Sequence, residues 1–410
     1  MRKMRLGSAA MVALAGTAVM TLVACSGGGS GGSSAPNSPI TIGVIVNSTG
    51  ATAGPYSGSA EVAQAWAKWV NDTQGGVGGH QVQIVAKDDK GDPATATSAA
   101  REMVERENAV AVVVQSAVAP TAVASYLASK NIPMLSNDDG QKQPNSPTTW
   151  FTVQAGQPAI TQSAAMVAKD VGATSMLAAV CSEVAGCAAV GDQLKAYMPS
   201  IGSEYKGLVT ISADATSATA QCLQIVNSGT AAVAAYIGIN AAKNIQQTCD
   251  GQGYKGQYVQ LASYNGLYTQ LATPQLGVLY SFPWWSDATP VKEYRDVMAK
   301  YSPNVDYKAS GPNATWVSLK LFDFALQKSG PAKGSPFTGA DVIKAYRAAV
   351  KDVTLDGLLP QPITYAESGN TEIKCFWGLK SDGAGNYQTI PGPGAAGNGV
   401  TGDLASQCVA

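Results

Sequence analysis

The chain predicts an α/β protein of two lobes, each built on a parallel sheet covered by helices on both faces. Three observations predict it. From Ile40 onward, short and nearly continuous apolar runs alternate with longer amphipathic stretches, the pattern of strand–helix–strand units whose strands are buried on both faces. The alternation restarts near residue 155, the best candidate boundary. The 410 residues are 45% hydrophobic and 13% charged, which suits two large cores better than one.

Taken in order, Ile40–Val46 (ITIGVIV) reads as a buried strand. Ser59–Asn71 reads as a helix with Trp66, Trp69 and Val70 on one side. Gln81–Ala86 is a strand, and Asp92-Pro93 starts a helix with a capping carboxylate and a proline in the first turn. Strand Ala109–Val114, helix Pro120–Ser129 and strand Ile132–Ser136 complete the first run. The second opens with Thr149–Val153 and a helix from Ala159 to Asp170. Strands follow at Ser175–Val180, Leu208–Ile211, Ala231–Ile237 and Tyr258–Leu261. Helices lie between them at Cys187–Tyr197, Thr216–Asn227 and Ala241–Gln252. Val278–Phe282 returns the chain to helices at Val291–Tyr301, Thr315–Lys328 and Gly339–Val350.

The front of the chain reads as an address. Arg2, Lys3 and Arg5 precede an apolar stretch that ends in Leu22-Val-Ala-Cys25, the layout of a secretory signal with a lipobox-like cleavage site. Residues 1–24 are then the signal, Cys25 the lipidated first residue, and 25–39 a Gly/Ser-rich tether of roughly 20 Å root-mean-square reach. The alternative is a buried N-terminal helix, which a basic start and a Gly/Ser end oppose. Without the signal, 24 basic residues face 28 acidic ones. There is no basic block for nucleic acid and no second run long enough to span a membrane. Besides Cys25 the chain has Cys181, Cys187, Cys222, Cys249, Cys375 and Cys408. In an exported protein these predict disulfides, and proximity favours 181–187, 222–249 and 375–408 among the fifteen possible pairings. One histidine and no CxxC argue against a metal site.

Chemistry is thinly represented. His80 sits in Gly78-Gly-His-Gln and reads as a surface turn residue. Gly75-Gly-Val-Gly-Gly79 follows a helix, the wrong side for a phosphate cradle, and reads as a helix stop. Asp88-Asp89 and Asp138-Asp139 are acid pairs of the kind usually solvated in loops. No nucleophile–base constellation, zinc motif or Walker loop appears, so an enzyme is disfavoured and no cofactor is expected. What the architecture offers is a cleft, because ligands bind beyond the carboxyl ends of parallel strands. The exits there are Asn47 to Tyr56, Gln115-Ser116 and Asn137-Asp138-Asp139. In the second run they are Cys181-Ser182-Glu183, Gly238-Ile-Asn240 and Ser263-Tyr264-Asn265.

From Ile40 to about Ile390 the chain resembles the type I periplasmic binding proteins, closest to the branched-chain amino acid (leucine/isoleucine/valine) receptors of ABC importers. The resemblance is carried by ITIGVIVNSTG with Gly54-Pro-Tyr56 and by Val70-Asn-Asp-Thr-Gln-Gly-Gly-Val-Gly-Gly79. It continues through Ile84-Val-Ala-Lys-Asp-Asp89 with Asp92-Pro93, and through Ile132-Pro-Met-Leu-Ser136. It implies two Rossmann-like lobes joined by a three-segment hinge, with residues 40–155 and 284–357 in the first lobe and 156–283 and 358–410 in the second. The family's amino-acid site is poorly matched. Ser116 only neighbours a Ser/Thr position, and Asn137-Asp138-Asp139 stands where a small residue and Ser or Thr are usual. No acid stands at Tyr264-Asn265, and the tyrosine of the second lobe is replaced around Glu183.

The resulting expectation is a lipid-anchored receptor on the extracytoplasmic face of a bacterial membrane, passing a small polar solute (an amino acid, an amide or a related compound) to ABC permease subunits. It is taken as a monomer with Tyr56, Ser116, Asn137, Asp138, Glu183, Asn240, Tyr264 and Asn265 as ligand-binding residues. Asp138 is expected on the cleft wall, facing a cationic or hydroxyl-bearing part of the ligand. The alternative is a sensor of the same fold that signals to a membrane partner without transport.

Overall fold

The computed structural model describes residues 36–50, 52–136, 148–182, 186–212, 215–261 and 264–409, without the side chains at 157–158 and 186–188. The first sheet holds β1 (Ile40–Val46), β2 (Val82–Asp88), β3 (Ala111–Gln115), β4 (Met134–Ser136) and β5 (Trp150–Thr152). All are parallel, in the order β2-β1-β3-β4-β5. Between them run α1 (Ser59–Gln74), α2 (Pro93–Glu105) and α3 (Ala119–Ser129). Strand alternation sorts the core into two faces. Ile42, Val44, Ala111 and Val113 share a cluster with Trp66 and Val70 of α1, whereas Ile45, Val112 and Val114 pack with Met103 of α2 and Leu127 of α3. The Asp92 cap is present, its carboxylate accepting from Thr95 N at 2.6 Å.

After β5 the chain enters α4 (Gln157–Asp170) and then β6 (Ser175–Cys181), α5 (Gly186–Tyr197), β7 (Glu204–Ile211) and α6 (Thr219–Ser228). It goes on through β8 (Ala232–Tyr236), α7 (Ile239–Gly251), β9 (Gln257–Gln260), α8 (Asn265–Leu271) and β10 (Gln275–Leu279). From β10 it returns to the first sheet, where α9 (Thr289–Tyr301) packs on α1 and α10 (Ser310–Ser329) lies against α1, β3 and β4, with α11 (Gly339–Ala349) beside α10. The last stretch holds the short pair β11 (Tyr365–Ala366) and β12 (Gly369–Asn370), then β13 (Cys375–Ser381), β14 (Tyr387–Ile390) and β15 (Gln407–Cys408).

Three features differ from the sequence reading. Residues 150–152 do not open the second sheet; β5 pairs parallel with β4 and closes the first. The second sheet is mixed rather than parallel, in the order β14-β13-β10-β9-β8-β6-β7, because β13 runs antiparallel to β10 and β14 antiparallel to β13. Strand β15 adds to β13. His80 is buried, not a surface turn residue. Its Nδ1 and Nε2 face the carbonyl oxygens of Ser38 and Ser335 at 2.7 and 3.0 Å, and its ring meets the edge of Phe337. The expected glycine stop is there: Gly75 ends α1 at φ 75°, and Val77 and His80 form a bridge.

Two of the expected disulfides are formed, Cys222–Cys249 between α6 and α7 and Cys375–Cys408 between β13 and β15. Cys181 is also disulfide-bonded, while the Cys187 side chain lies outside the described residues. The bonded residues of the first pair are 27 apart in sequence, a loop whose closure removes about 3.5 kcal/mol of unfolded-state entropy. Replacing Cys222 and Cys249 together by alanine should therefore lower the unfolding free energy by about 3.5 kcal/mol in urea titration. A loss under about 1 kcal/mol would mean that the bridge constrains the unfolded chain little.

Candidate functional site

The strands are apolar along their length and polar at one end. Asn47, Gln115, Ser116, Ser136 and Thr152 are all buried, and each stands at or just past the carboxyl end of a first-sheet strand. Gln154, Ser281, Ser310 and Asn313 are buried where the chain passes between sheets and where α10 begins. Burying polar groups costs free energy unless they are bonded, so their concentration at one edge marks the place where the fold does something other than pack.

The loop leaving β1 is fastened to the loop leaving β2. Asp88 accepts from Ser48 N at 3.0 Å, Thr49 Oγ1 at 2.6 Å and Lys90 N at 2.9 Å. Partial burial alone would raise the Asp88 carboxyl, but the donation from Thr49 Oγ1 and the backbone N–H groups of Lys90 and Ser48 outweighs it and holds the carboxyl below its ordinary 3.8. Asn47 ties the same loop internally, donating to Thr49 O at 2.8 Å and accepting from Thr52 Oγ1 at 2.6 Å. Asp89 is fully buried, with one carboxylate oxygen receiving Gly91 N at 2.8 Å. The acid pair expected to be solvated is thus the fastening of the loop.

That loop meets the second sheet. A Cβ on Gly54 would lie 2.7 Å from Cζ of Tyr264, the residue that precedes α8 beyond the end of β9, so a side chain there would have to displace the ring. Tyr264 also forms a backbone bridge with Ala309, and Asn265 N donates to Lys308 O at 2.8 Å. Asn265 Oδ1 accepts from Tyr387 OH at 2.7 Å. Tyr387 in turn stacks on Trp285 at 5.3 Å and meets Trp284 edge-on. The strand-end edges of the two sheets are therefore in contact through Gly54, Tyr264 and the start of α10.

The sequence-predicted residues divide accordingly. Tyr264 and Asn265 stand at this seam. Tyr56 is half-buried in the β1 exit loop and packs against the core. Ser116 is fully buried and accepts from Val118 N and Ala119 N at 3.2 Å each, holding the backbone just ahead of α3. Asn240 is exposed in the first turn of α7. Asn137, Asp138, Glu183 and Cys25 lie outside the described residues. Gln115 belongs to one of the expected strand exits but not to the expected ligand contacts. It is fully buried, and neither its Nε2 nor its Oε1 has a hydrogen-bond partner. An unpaired buried amide costs roughly 1–3 kcal/mol per group. Sequence carried a signal for it, a polar residue closing an apolar strand one position before Ser116. Among the described residues no group of three or more His, Cys, Asp or Glu is placed to hold a metal ion, and no helix is long and apolar enough to cross a membrane.

Comparison with known proteins gives the frame a relationship. The family profile described as periplasmic binding protein matches residues 39–386. The branched-chain amino acid transporter substrate-binding protein LivJ of Streptococcus pneumoniae, solved with isoleucine, superposes with a TM-score of 0.68 at 16% identity, covering 86% of this chain and 99% of that one. A solute-binding protein of an ABC transporter from Rhodopseudomonas palustris HaA2, in complex with p-hydroxybenzoic acid, gives 0.64 at 19% identity, covering 84% and 94%. A fatty acid ABC transporter substrate-binding protein from Thermomonospora curvata gives 0.68 at 19% identity, covering 87% and 93%. At these identities the likeness is one of fold. No curated protein matches the chain by sequence.

Asp88 provides a direct check on the loop fastening. A carboxyl held below its ordinary value stabilises the folded state above that value, and the contribution is lost as pH falls through the lowered one. Asp88→Ala should cost about 1 kcal/mol near pH 7, a figure reduced for its partial exposure. The gap between variant and wild type should close below about pH 4, as the wild-type carboxyl protonates. Melting curves at several pH values would show this, and a gap independent of pH would place the cost in packing instead.

Proposed function

The chain belongs to the periplasmic binding protein family, and from that premise we propose that it is the solute-capturing component of an ABC importer, closing two lobes over one small polar molecule. The lobes are residues 40–155 with 284–357, and 156–283 with 358–410. The observation that carries the reading is the meeting of the two strand-end edges, with the Tyr264 ring lying on Gly54 and its backbone bridged to Ala309. A solute bound between these edges touches both lobes only when they are together, so its differential affinity drives closure. The buried polar groups along the edge favour a polar solute. The solute-binding neighbours make import the natural destination.

The test is binding and closure measured together. Calorimetry with isoleucine, p-hydroxybenzoate and solutes released from the denatured protein should find a ligand that also reduces the radius of gyration in solution scattering. Gly54→Val should weaken that ligand at least about tenfold, or 1.4 kcal/mol, because its side chain meets the Tyr264 ring. In a Tyr264→Ala background the same substitution should cost much less. A ligand that binds with no change in scattering, and with equal affinity in Gly54→Val, overturns closure as the mechanism.

The same reading places Cys25 as the lipid attachment, supported by the cationic start and the Leu22-Val-Ala-Cys25 run. Several acyl chains anchor a protein stably where one does not. Cys25→Ala should move the protein from washed membranes to the soluble fraction once the signal is removed. Its retention there, with the signal cleaved, refutes the anchor.

A further inference from the structure

We propose that Gln115 reads a carboxamide-type group on the solute, so that the ligand class is a neutral amide or urea rather than a free carboxylate. The inference rests on the solute-binding reading above and adds the chemistry that the edge selects.

The placement comes first. Gln115 is the last residue of β3, and its carbonyl receives Asn47 N at 2.9 Å, so its main chain is fixed. Ala111 and Val113 face the α1 and α10 side of the sheet, while Val112 and Val114 face α2 and α3. Alternation puts the Gln115 side chain on the α10 side, at the edge where α10 begins. There Gly311 N donates to Pro55 O at 2.8 Å, and Ser310 O accepts from Ser281 Oγ at 2.9 Å. Asn313, one turn into α10, donates to Phe282 O at 2.8 Å but leaves its Oδ1 unpaired and buried.

The contrast with neighbouring groups gives the argument its weight. Asn47 is bonded through both amide atoms, Ser116 holds the backbone just ahead of α3, and Gln154 and Ser281 bond each other. Gln115 alone in this set has donor and acceptor both idle while fully buried. Buried polar groups in folded proteins are almost always satisfied, and an exception calls for a reason.

The chemistry of the idle pair defines the partner. A carboxamide offers two N–H donors and one carbonyl acceptor. A second carboxamide or a urea satisfies both ends at once. A carboxylate has only acceptors, so it leaves the Gln115 oxygen facing negative charge, and an ammonium has only donors. The β2 exit adds acids, Asp88 and the buried Asp89, whereas Lys90 beside them is exposed. This favours a neutral group over an anion.

The experiment uses matched pairs on the full chain: glutamine and glutamate, nicotinamide and nicotinate, benzamide and benzoate, with urea added. In calorimetry at least one amide should bind tenfold or more tightly than its acid, a difference of about 1.4 kcal/mol. Gln115→Leu should erase that preference while leaving the ligand-free melting temperature equal or higher, since an unpaired buried amide is removed. Gln115→Asn should keep part of the preference. An acid preferred over its amide, an amide-to-acid ratio unchanged in Gln115→Leu, or no amide bound at all overturns the inference. Solutes released from the denatured protein separate the two readings. A released solute that rebinds wild type and Gln115→Leu equally and carries no amide or urea sinks this inference but leaves solute binding standing. A chain that neither releases nor binds any solute sinks both.

Discussion

The architecture depends on one buried junction of hydrogen bonds where the chain passes between the two sheets. Backbone that leaves a strand ladder has no automatic partners, and in a buried place every exposed carbonyl must find a donor. Side chains supply them here. Gln154, past β5, bonds Ser281, past β10; Ser281 Oγ donates to Ser310 O at 2.9 Å; and Asn313 donates to Phe282 O at 2.8 Å. The third passage joins through Tyr365 OH to Thr152 O at 2.5 Å and Gly156 N to Ile373 O at 3.3 Å. Removing one donor leaves a buried acceptor bare, so each member is held in place by the cost of losing the others.

Around this junction the two halves solve stability differently. The first sheet rests on continuous apolar strands with Trp66, Trp316 and Phe322 fully buried on one face. The described disulfides, Cys222–Cys249 and Cys375–Cys408, both serve the second sheet. They fix α6 to α7, and the final strand β15 to β13. The described bridges therefore add a covalent constraint to the second half that the first sheet does without.

Legibility followed the same division. Ile40–Val46 and Ala111–Gln115 were readable because a strand buried on both faces writes its burial as an unbroken apolar run. The Asp92-Pro93 start of α2 was readable because capping is local. The antiparallel β13 and β14 were not, since pairing direction leaves no trace in a period of two residues. Helix α8, at 7 residues, offers too little periodicity to see. His80 looked like a turn residue because its partners, Ser38 and Ser335, are distant in sequence. Gln115 was placed at the right strand exit, but a sequence cannot say whether an amide is buried or paired. Ser116 stands at the same exit, and the sequence alone does not show that its hydroxyl oxygen accepts from the backbone N–H groups at the start of α3.

This explains why the frame and the ligand separate so cleanly. The groups at a strand-end edge are shared between two tasks, holding the loops that form the edge and meeting whatever binds there. Asp88, Asn47 and Ser116 are spent on the first task, and Tyr264 and Asn265 are partly so through their bonds to Ala309, Lys308 and Tyr387. The scaffolding contacts use backbone atoms and short polar side chains, which many sequences can supply. A few remaining side chains can then change the chemistry of the edge without disturbing its shape. Matching a family's ligand residues position by position therefore tests the wrong set when some of those positions have gone over to scaffolding. The informative positions are the buried polar atoms that the protein itself leaves unused at the strand-end edge, because a bound solute can supply the partner that the fold does not.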